Sequence, residues 1–350
     1  PEALAAARLP LMLASCLARH PGQTRAWLAY LRERYAGGAL ARKLYRLLPF
    51  IGKEPDVTHL EFATLAEEFG ELIPLLPGRK VISCRGADID ILPRGRPALA
   101  AAIRAAFDRV DAVHCVSRAM VRSTAEYGLD PDKAFVNHPS IDWRYFQPTE
   151  PARRRERFTV LTVARLHWKK GIRDALRALR QVHERGVAAH YVVVGEGEDR
   201  EAIQFDIWDQ GLSDYVTLAG TQPRSAVREA MAEADVFLLP SVSEGLSNAA
   251  LEAMAMRVPV VTTDAGGMPE VVRHGIEGFV VARRDAGQMA HYLAYLAQNE
   301  PARSAMGYAA RARVQERFGI DTQIRIFESV YRSLANGGTV CEGAATCGLT

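Results

Sequence analysis

The chain has 350 residues, 48% of them hydrophobic and 24% charged, with a formal net charge of +3. That length and apolar content suffice for two domains with their own cores, and so small a net charge excludes a surface dedicated to nucleic acid. No apolar run approaches the ~20 residues needed to cross a bilayer and no signal peptide is evident, while five cysteines without metal spacing, Cys16, Cys84, Cys115, Cys341 and Cys347, read as those of a reduced, cytoplasmic protein.

Between Arg19 and Lys53 eight basic residues stand against one acidic residue, Glu33. Trp27, Tyr30, Leu31, Tyr35, Leu44, Tyr45, Leu47 and Leu48 are interleaved with them. One reading is peripheral contact with an anionic membrane, which requires an apolar patch open to solvent beside the arginines. The other is a helical cap with solvated arginines, which buries Trp27, Leu31, Leu44 and Leu48. The cap suits the pattern slightly better.

Strands are expected at 57–62, 80–84, 112–117 and 134–137, with helices over 97–110 and 118–127. Cys84-Arg85-Gly86-Ala87-Asp88 leaves the second of these strands and enters a loop, where a local ion pair between Arg85 and Asp88 is the plain structural reading. His114 and His138 read as structural, one inside a strand pattern and the other before Pro139.

The second half alternates more regularly, with strands expected at 158–164, 190–194, 215–218, 235–240, 258–262 and 278–281 and helix-period segments between them. This is the pattern of a doubly wound parallel sheet, whose ligands sit at the carboxyl ends of the strands. After the first of these strands comes a basic loop, Val-Ala-Arg-Leu-His-Trp-Lys-Lys-Gly from Val163 to Gly171, containing Arg165 and Lys170. After the next, Gly195-Glu196-Gly197 imitates a dinucleotide turn, but Arg200 replaces the third glycine and the turn does not open the first βα unit. A dehydrogenase fits poorly.

After the fourth comes Ser-Val-Ser-Glu-Gly-Leu-Ser-Asn-Ala-Ala-Leu-Glu, from Ser241 to Glu252. A strand, a polar loop and a helix start are the context in which backbone N–H groups hold phosphate, here from Gly245, Leu246, Ser247 and Asn248. With Ser247 near the N-cap, Glu244 lies in the loop and Glu252 about one and a half turns inside the helix. Carboxylates beside an anion site need neutral hydroxyl partners, and a molecule offering both hydroxyls and phosphate is a sugar nucleotide. The next strand leads into Asp-Ala-Gly-Gly-Met-Pro-Glu, ending at Glu270.

This ensemble resembles the retaining GT-B glycosyltransferases of the large family that carries the E-x7-E signature, the glycosyl transferases group 1. The resemblance covers about Val81 to Leu334 and is most specific over 163–281. It implies an α/β fold of two Rossmann-like doubly wound domains facing a cleft. The acceptor-side domain would occupy 1–147, a linker with Arg153, Arg154, Arg155 and Arg157 would occupy 148–157, and the donor domain 158–318. A helix over 319–336 would cross back to the first domain, leaving a flexible tail over 337–350. Four strands are fewer than the family's first domain has, residue 1 is Pro, and the glycine-rich turn after the family's first strand is missing. A truncated N-terminal domain is therefore expected.

Residue by residue, the resemblance implies that Arg165 and Lys170 grip the donor diphosphate. Glu244 would face the transferred sugar, Glu252 would bind the ribose, and Gly195 and Gly197 would line the nucleotide cleft. Two fixed cations suit a leaving group that gains negative charge as the glycosidic bond breaks. Arg85, Gly86 and Asp88 would lie on the acceptor side, where relatives place a His that contacts the donor sugar. Arg85 replaces that His, and since a guanidinium does not shuttle protons its role would be electrostatic or positional. The expectation is metal- and cofactor-independent transfer from a UDP- or GDP-linked sugar to a hydroxyl acceptor, free or lipid-linked, with retention, in polysaccharide or glycoconjugate synthesis. The alternatives are a synthase or phosphorylase with the same donor half, or a non-catalytic sugar-nucleotide-binding module.

Overall fold

The computed structural model describes residues 2–148 and 157–340, with side chains from Arg8 onward. Most of the expected linker, including Arg153, Arg154 and Arg155, and most of the expected tail, including Cys341 and Cys347, lie outside the described residues.

Two all-parallel sheets organise the chain. The first, in the order β1-β2-β3-β4, contains β1 (Val57–Leu60), β2 (Arg79–Cys84), β3 (Ala112–Cys115) and β4 (Ala134–Val136). Around it lie α1 (Glu2–Arg19), α2 (Pro21–Arg32), α3 (Gly37–Leu47), α4 (Ala66–Phe69), α5 (Ala87–Asp90), α6 (Pro97–Arg109) and α7 (Arg118–Thr124). The second sheet, in the order β10-β9-β8-β5-β6-β7, contains β5 (Phe158–Val163), β6 (Ala189–Val194), β7 (Val216–Gly220), β8 (Val236–Leu239), β9 (Val260–Thr263) and β10 (Gly278–Val281). Its helices are α8 (Ile172–Glu184), α9 (Arg200–Asp209), α10 (Arg224–Ala232), α11 (Asn248–Ala255), α12 (Met268–Val271), α13 (Ala286–Gln298) and α14 (Glu300–Arg317). A last helix, α15 (Ile320–Ala335), follows.

The strands read as unbroken apolar runs because both faces are covered: every residue of β3, β8 and β9 is buried. Alternate side chains then serve different layers. In the first sheet Ile82 and Val113 join the core under α1 to α6, whereas Val81 and Ala112 join Val330 and Leu334 of α15. In the second, α8 presents Ile172, Leu176, Leu179 and Val182 as one apolar stripe toward the layer it shares with α13, and α11 and α14 cover the opposite face.

The N-terminal basic segment takes the cap arrangement. Trp27, Leu31, Leu44 and Leu48 are all buried in the core beneath the first sheet's helices, while Arg25, Arg32, Arg34 and Arg42 are exposed. The open apolar patch that membrane contact required at those four positions is therefore absent, because packing against the core has consumed it. No helix among the described residues is long and apolar enough to cross a membrane.

The return of α15 onto the first sheet is held by a chain of hydrogen bonds. Tyr331 Oη lies 2.5 Å from His59 Nδ1, His59 Nε2 lies 2.8 Å from Ser83 Oγ, Ser83 Oγ 2.8 Å from His114 Nδ1, and His114 Nε2 2.8 Å from the Asn137 carbonyl. Only neutral imidazoles satisfy every link in one direction, and burial pushes His59 down to about 4 and His114 down to about 3. His114 is structural, as its strand context implies.

Candidate functional site

Strand order reverses between β5 and β8, which is where a parallel sheet of this kind opens a crevice at its carboxyl ends. The loop after β5 ends in a short 3₁₀ turn, Trp168–Lys170, closed by Gly171 at φ +66. A Cβ there would lie 2.0 Å from the Pro240 carbonyl oxygen, so glycine is what lets this loop rest on the end of β8. The backbone N–H of Val242 donates to the Lys169 carbonyl at 2.7 Å and fixes the two loops together.

This junction brings Lys170 against Glu244. The ammonium lies 2.5 Å from Glu244 Oε2, with both side chains mostly shielded from solvent, and Ser241 Oγ donates to the same oxygen at 3.1 Å. Lys169 sits alongside, its ammonium pushed below the usual lysine value by burial and by Lys170. Arg165 is exposed and enters neither the Lys170 pair nor a bond to Glu244, though its charge is felt at Lys169 and Glu198.

Ser247 is the N-cap of α11, its hydroxyl accepting the Ala250 N–H at 3.3 Å. Glu252 follows on that helix, and burial raises its carboxyl to about 7 against an opposing pull from Arg224. Arg224 itself lies over the Tyr145 ring at 4.2 Å. A folded-state carboxyl that keeps its proton up to about pH 7, against 4.5 ordinarily, leaves the folded protein holding one more proton than the unfolded chain in that window. Stability therefore falls as pH rises through it. Glu252→Gln should raise the melting temperature more at pH 8 than at pH 5, by about 2 kcal/mol of differential stability once water at its open side is allowed for. Equal shifts at the two pH values would contradict the assignment.

Gly195 and Gly197 lie where the loop after β6 runs against the loop after β5. Cβ atoms there would lie 1.9 Å from the Ala164 oxygen and 2.1 Å from the Leu166 oxygen. The Gly195 N–H is already donated to Gly220, so these glycines permit close backbone packing and Gly195 offers no free amide.

The loop after β2 faces the site from the first sheet. A Cβ on Gly245 would lie 2.0 Å from the Arg85 carbonyl oxygen, so the two sheets' loops touch backbone to backbone at Gly86 and Gly245. The expected Arg85–Asp88 ion pair is not formed. Asp88, 5% exposed, instead accepts backbone N–H bonds from Arg85, Gly86 and Ala63, which shape the loop. Burial nevertheless leaves its carboxyl above the usual value. Arg85 turns outward to Glu61, pairing with its carboxylate and donating from Nε to its carbonyl at 2.9 Å. A short loop cannot do both, and three N–H donors suit a buried carboxylate better than one solvated guanidinium.

A second bridge joins the sheets. Glu270 accepts the N–H groups of Arg118 at 3.0 Å and Ala119 at 2.9 Å, at the start of α7, and lies 3.1 Å from His138 Nε2. Burial works against the charged carboxylate, but these bonds outweigh it and hold the carboxyl below its usual value. Glu270, Lys169 and Arg224 were not singled out from sequence as site residues. The Gly-Gly-Met-Pro-Glu turn was the available signal for Glu270. Among the described residues no three His, Cys, Asp or Glu side chains converge as a metal site would need.

The family model of glycosyl transferases group 1 matches residues 145–313. The amylovoran biosynthesis glycosyltransferase AmsK of Erwinia amylovora is 31% identical over 319 residues, which is 85% of this chain and 76% of that protein. The putative colanic acid biosynthesis glycosyltransferase WcaL of Escherichia coli (strain K12) is 34% identical over 198 residues, 55% of this chain and 49% of its own length. Among solved structures, sucrose-phosphate synthase from Thermosynechococcus elongatus superposes with a TM-score of 0.76 at 18% identity, covering 86% of this chain and 78% of its own. HepE of Anabaena in complex with UDP and glucose gives 0.71 at 20% identity, covering 79% and 78%. These likenesses show a GT-B fold. The chain belongs to the glycosyl transferases group 1 family.

Proposed function

We propose that the chain transfers a sugar, with retention of configuration, from a UDP- or GDP-linked donor to a hydroxyl acceptor during polysaccharide synthesis. The observation that carries this reading is the meeting of Lys170 and Glu244 at the point where strand order reverses. Lys170 and Ser241 both donate to Glu244 Oε2, leaving Oε1 to accept from a sugar hydroxyl. Lys170 and Arg165 then stabilise the charge that develops on the departing diphosphate. Glu252, with a carboxyl titrating near neutrality, either accepts from or donates to the ribose hydroxyls. Arg85, Gly86 and Asp88 border the acceptor, with Asp88 holding the loop and Arg85 acting through charge. The two sheets serve as acceptor and donor domains, over 1–147 and 158–318, and close on each other at Gly86 and Gly245. Polysaccharide as the product is supported by AmsK and WcaL, whose names place them in amylovoran and colanic acid biosynthesis.

A thermal-shift panel of UDP-, GDP- and ADP-sugars tests the donor. One donor at about a hundredfold excess over its Kd should raise the melting temperature by roughly 5 °C. No shift from any of them would remove the nucleotide-sugar reading. Calorimetry separates the carboxylates: Glu252→Gln should weaken binding of the free nucleoside diphosphate about tenfold, whereas Glu244→Gln should leave it unchanged and lower turnover alone. Equal losses of nucleotide affinity would contradict this division.

A further inference from the structure

Beside the start of α8, a cavity of about 310 Å³ opens at the rim of the second sheet. Its walls come from the loop after β5, from α8 and α9, and from the loops after β8 and β10. Trp168, 55% exposed, stands at its mouth with its indole braced by the His167 ring at 5.4 Å. Ile172 and Ile203 supply an apolar wall. Arg177 pairs with the buried Asp174 at 2.9 Å, and Arg284 is exposed at φ +65 with no carboxylate partner among the described residues.

We propose that this cavity is a second, non-catalytic carbohydrate subsite, one that holds a saccharide unit bearing at most one carboxylate. A large exposed indole is costly to leave in water and presents a flat face to the C–H surface of a pyranose ring. The Arg177–Asp174 pair offers donors and an acceptor side by side, the arrangement that adjacent sugar hydroxyls require. Charge decides against a nucleotide: Arg173, Arg177 and Arg284 are nearly matched by Asp174 and Asp199, with Arg173 further paired to Asp206. A wall so balanced is poor for a diphosphate and, among the described residues, leaves Arg284 to take a single uronate-type carboxylate. The volume lies at the low end for small-molecule sites and suits a short saccharide. The subsite rests on the reading of the chain as a polysaccharide glycosyltransferase in one respect, that the glycan it holds is the growing chain. Because Val242 and Gly171 line the cavity and Lys170 and Glu244 do not, a glycan seated there remains tethered beside the transfer site without occupying it.

The test is saturation-transfer NMR on the full chain with methyl glucoside and methyl glucuronide as probes, with and without excess UDP and GDP. Both probes should show saturation, the glucuronide more strongly, and the nucleotides should leave the signals intact. Trp168→Ala should weaken both probes roughly tenfold, and Arg284→Ala should abolish only the preference for the glucuronide. Neither variant should change nucleotide affinity by calorimetry. Absence of saturation from either probe, loss of signal when nucleotide is added, or an unaltered signal in Trp168→Ala would overturn the subsite. Saccharide binding in a protein that binds neither UDP nor GDP would uphold the subsite and reject the donor reading alone.

Discussion

Lys170→Ala should lower donor turnover by on the order of a hundredfold, the loss typical of removing one group that stabilises charge developing in the transition state. The substitution also strips Glu244 of its cation in a mostly shielded pocket, where an unpaired carboxylate is expensive. Lys170→Ala should therefore lower kcat/KM further than Arg165→Ala, because Arg165 is exposed and its charge acts on Glu198 only through solvent-exposed surface. The expected order is a loss of about a hundredfold for Lys170 and roughly tenfold to a hundredfold for Arg165, with the smaller loss reflecting solvent screening. The double variant Lys170→Ala with Glu244→Gln should not lose the product of the two single effects, since the two side chains act as one pair. Activity within about twofold of the parent in both single variants would place the diphosphate elsewhere.

Much of the architecture was legible because burial on both faces writes parallel strands as continuous apolar runs. The ten strands fall within a few residues of the expected positions, and Ser247 caps α11 as its place before the Asn-Ala-Ala-Leu run implied. Residue pairs set by strand order were not legible. Lys170 and Glu244 lie 74 residues apart and meet only because β8 returns to lie beside β5. Arg85 shows the reverse problem. Three positions from Asp88 it looked like a local ion pair, yet the competing backbone donors include Ala63 from a separate turn, which no local pattern reveals. The basic N-terminal segment had two readings because sequence shows an amphipathic face without showing what covers it. Packing of Trp27 and Leu31 into the first core supplied that answer.

Gly266→Ala should produce the largest stability loss among single substitutions around the site. Gly266 has φ +54, and a Cβ there would lie 1.6 Å from the carbonyl oxygen of Glu244. Backbone strain alone accounts for about 1 kcal/mol when alanine is forced to a positive φ. Gly211, at φ +67 with nothing within 4 Å of its Cβ position, isolates that contribution. Gly211→Ala should therefore cost about 1 kcal/mol, whereas Gly266→Ala should cost about 3 kcal/mol or more, since the Glu244 backbone must move as well. That movement shifts the carboxylate paired with Lys170, so turnover should fall at least tenfold in Gly266→Ala and stay unchanged in Gly211→Ala. Gly245→Ala separates the two effects. Its Cβ would meet the Arg85 carbonyl oxygen at 2.0 Å, and that oxygen belongs to a loop of the other sheet. Two loops carried by different sheets part more easily than two neighbouring loops of one sheet, so Gly245→Ala should lower turnover while costing less stability than Gly266→Ala. Urea unfolding and steady-state kinetics on the three variants decide the matter. Equal stability losses in Gly211→Ala and Gly266→Ala would mean that the loop bearing Glu244 does not rest on Gly266 in solution.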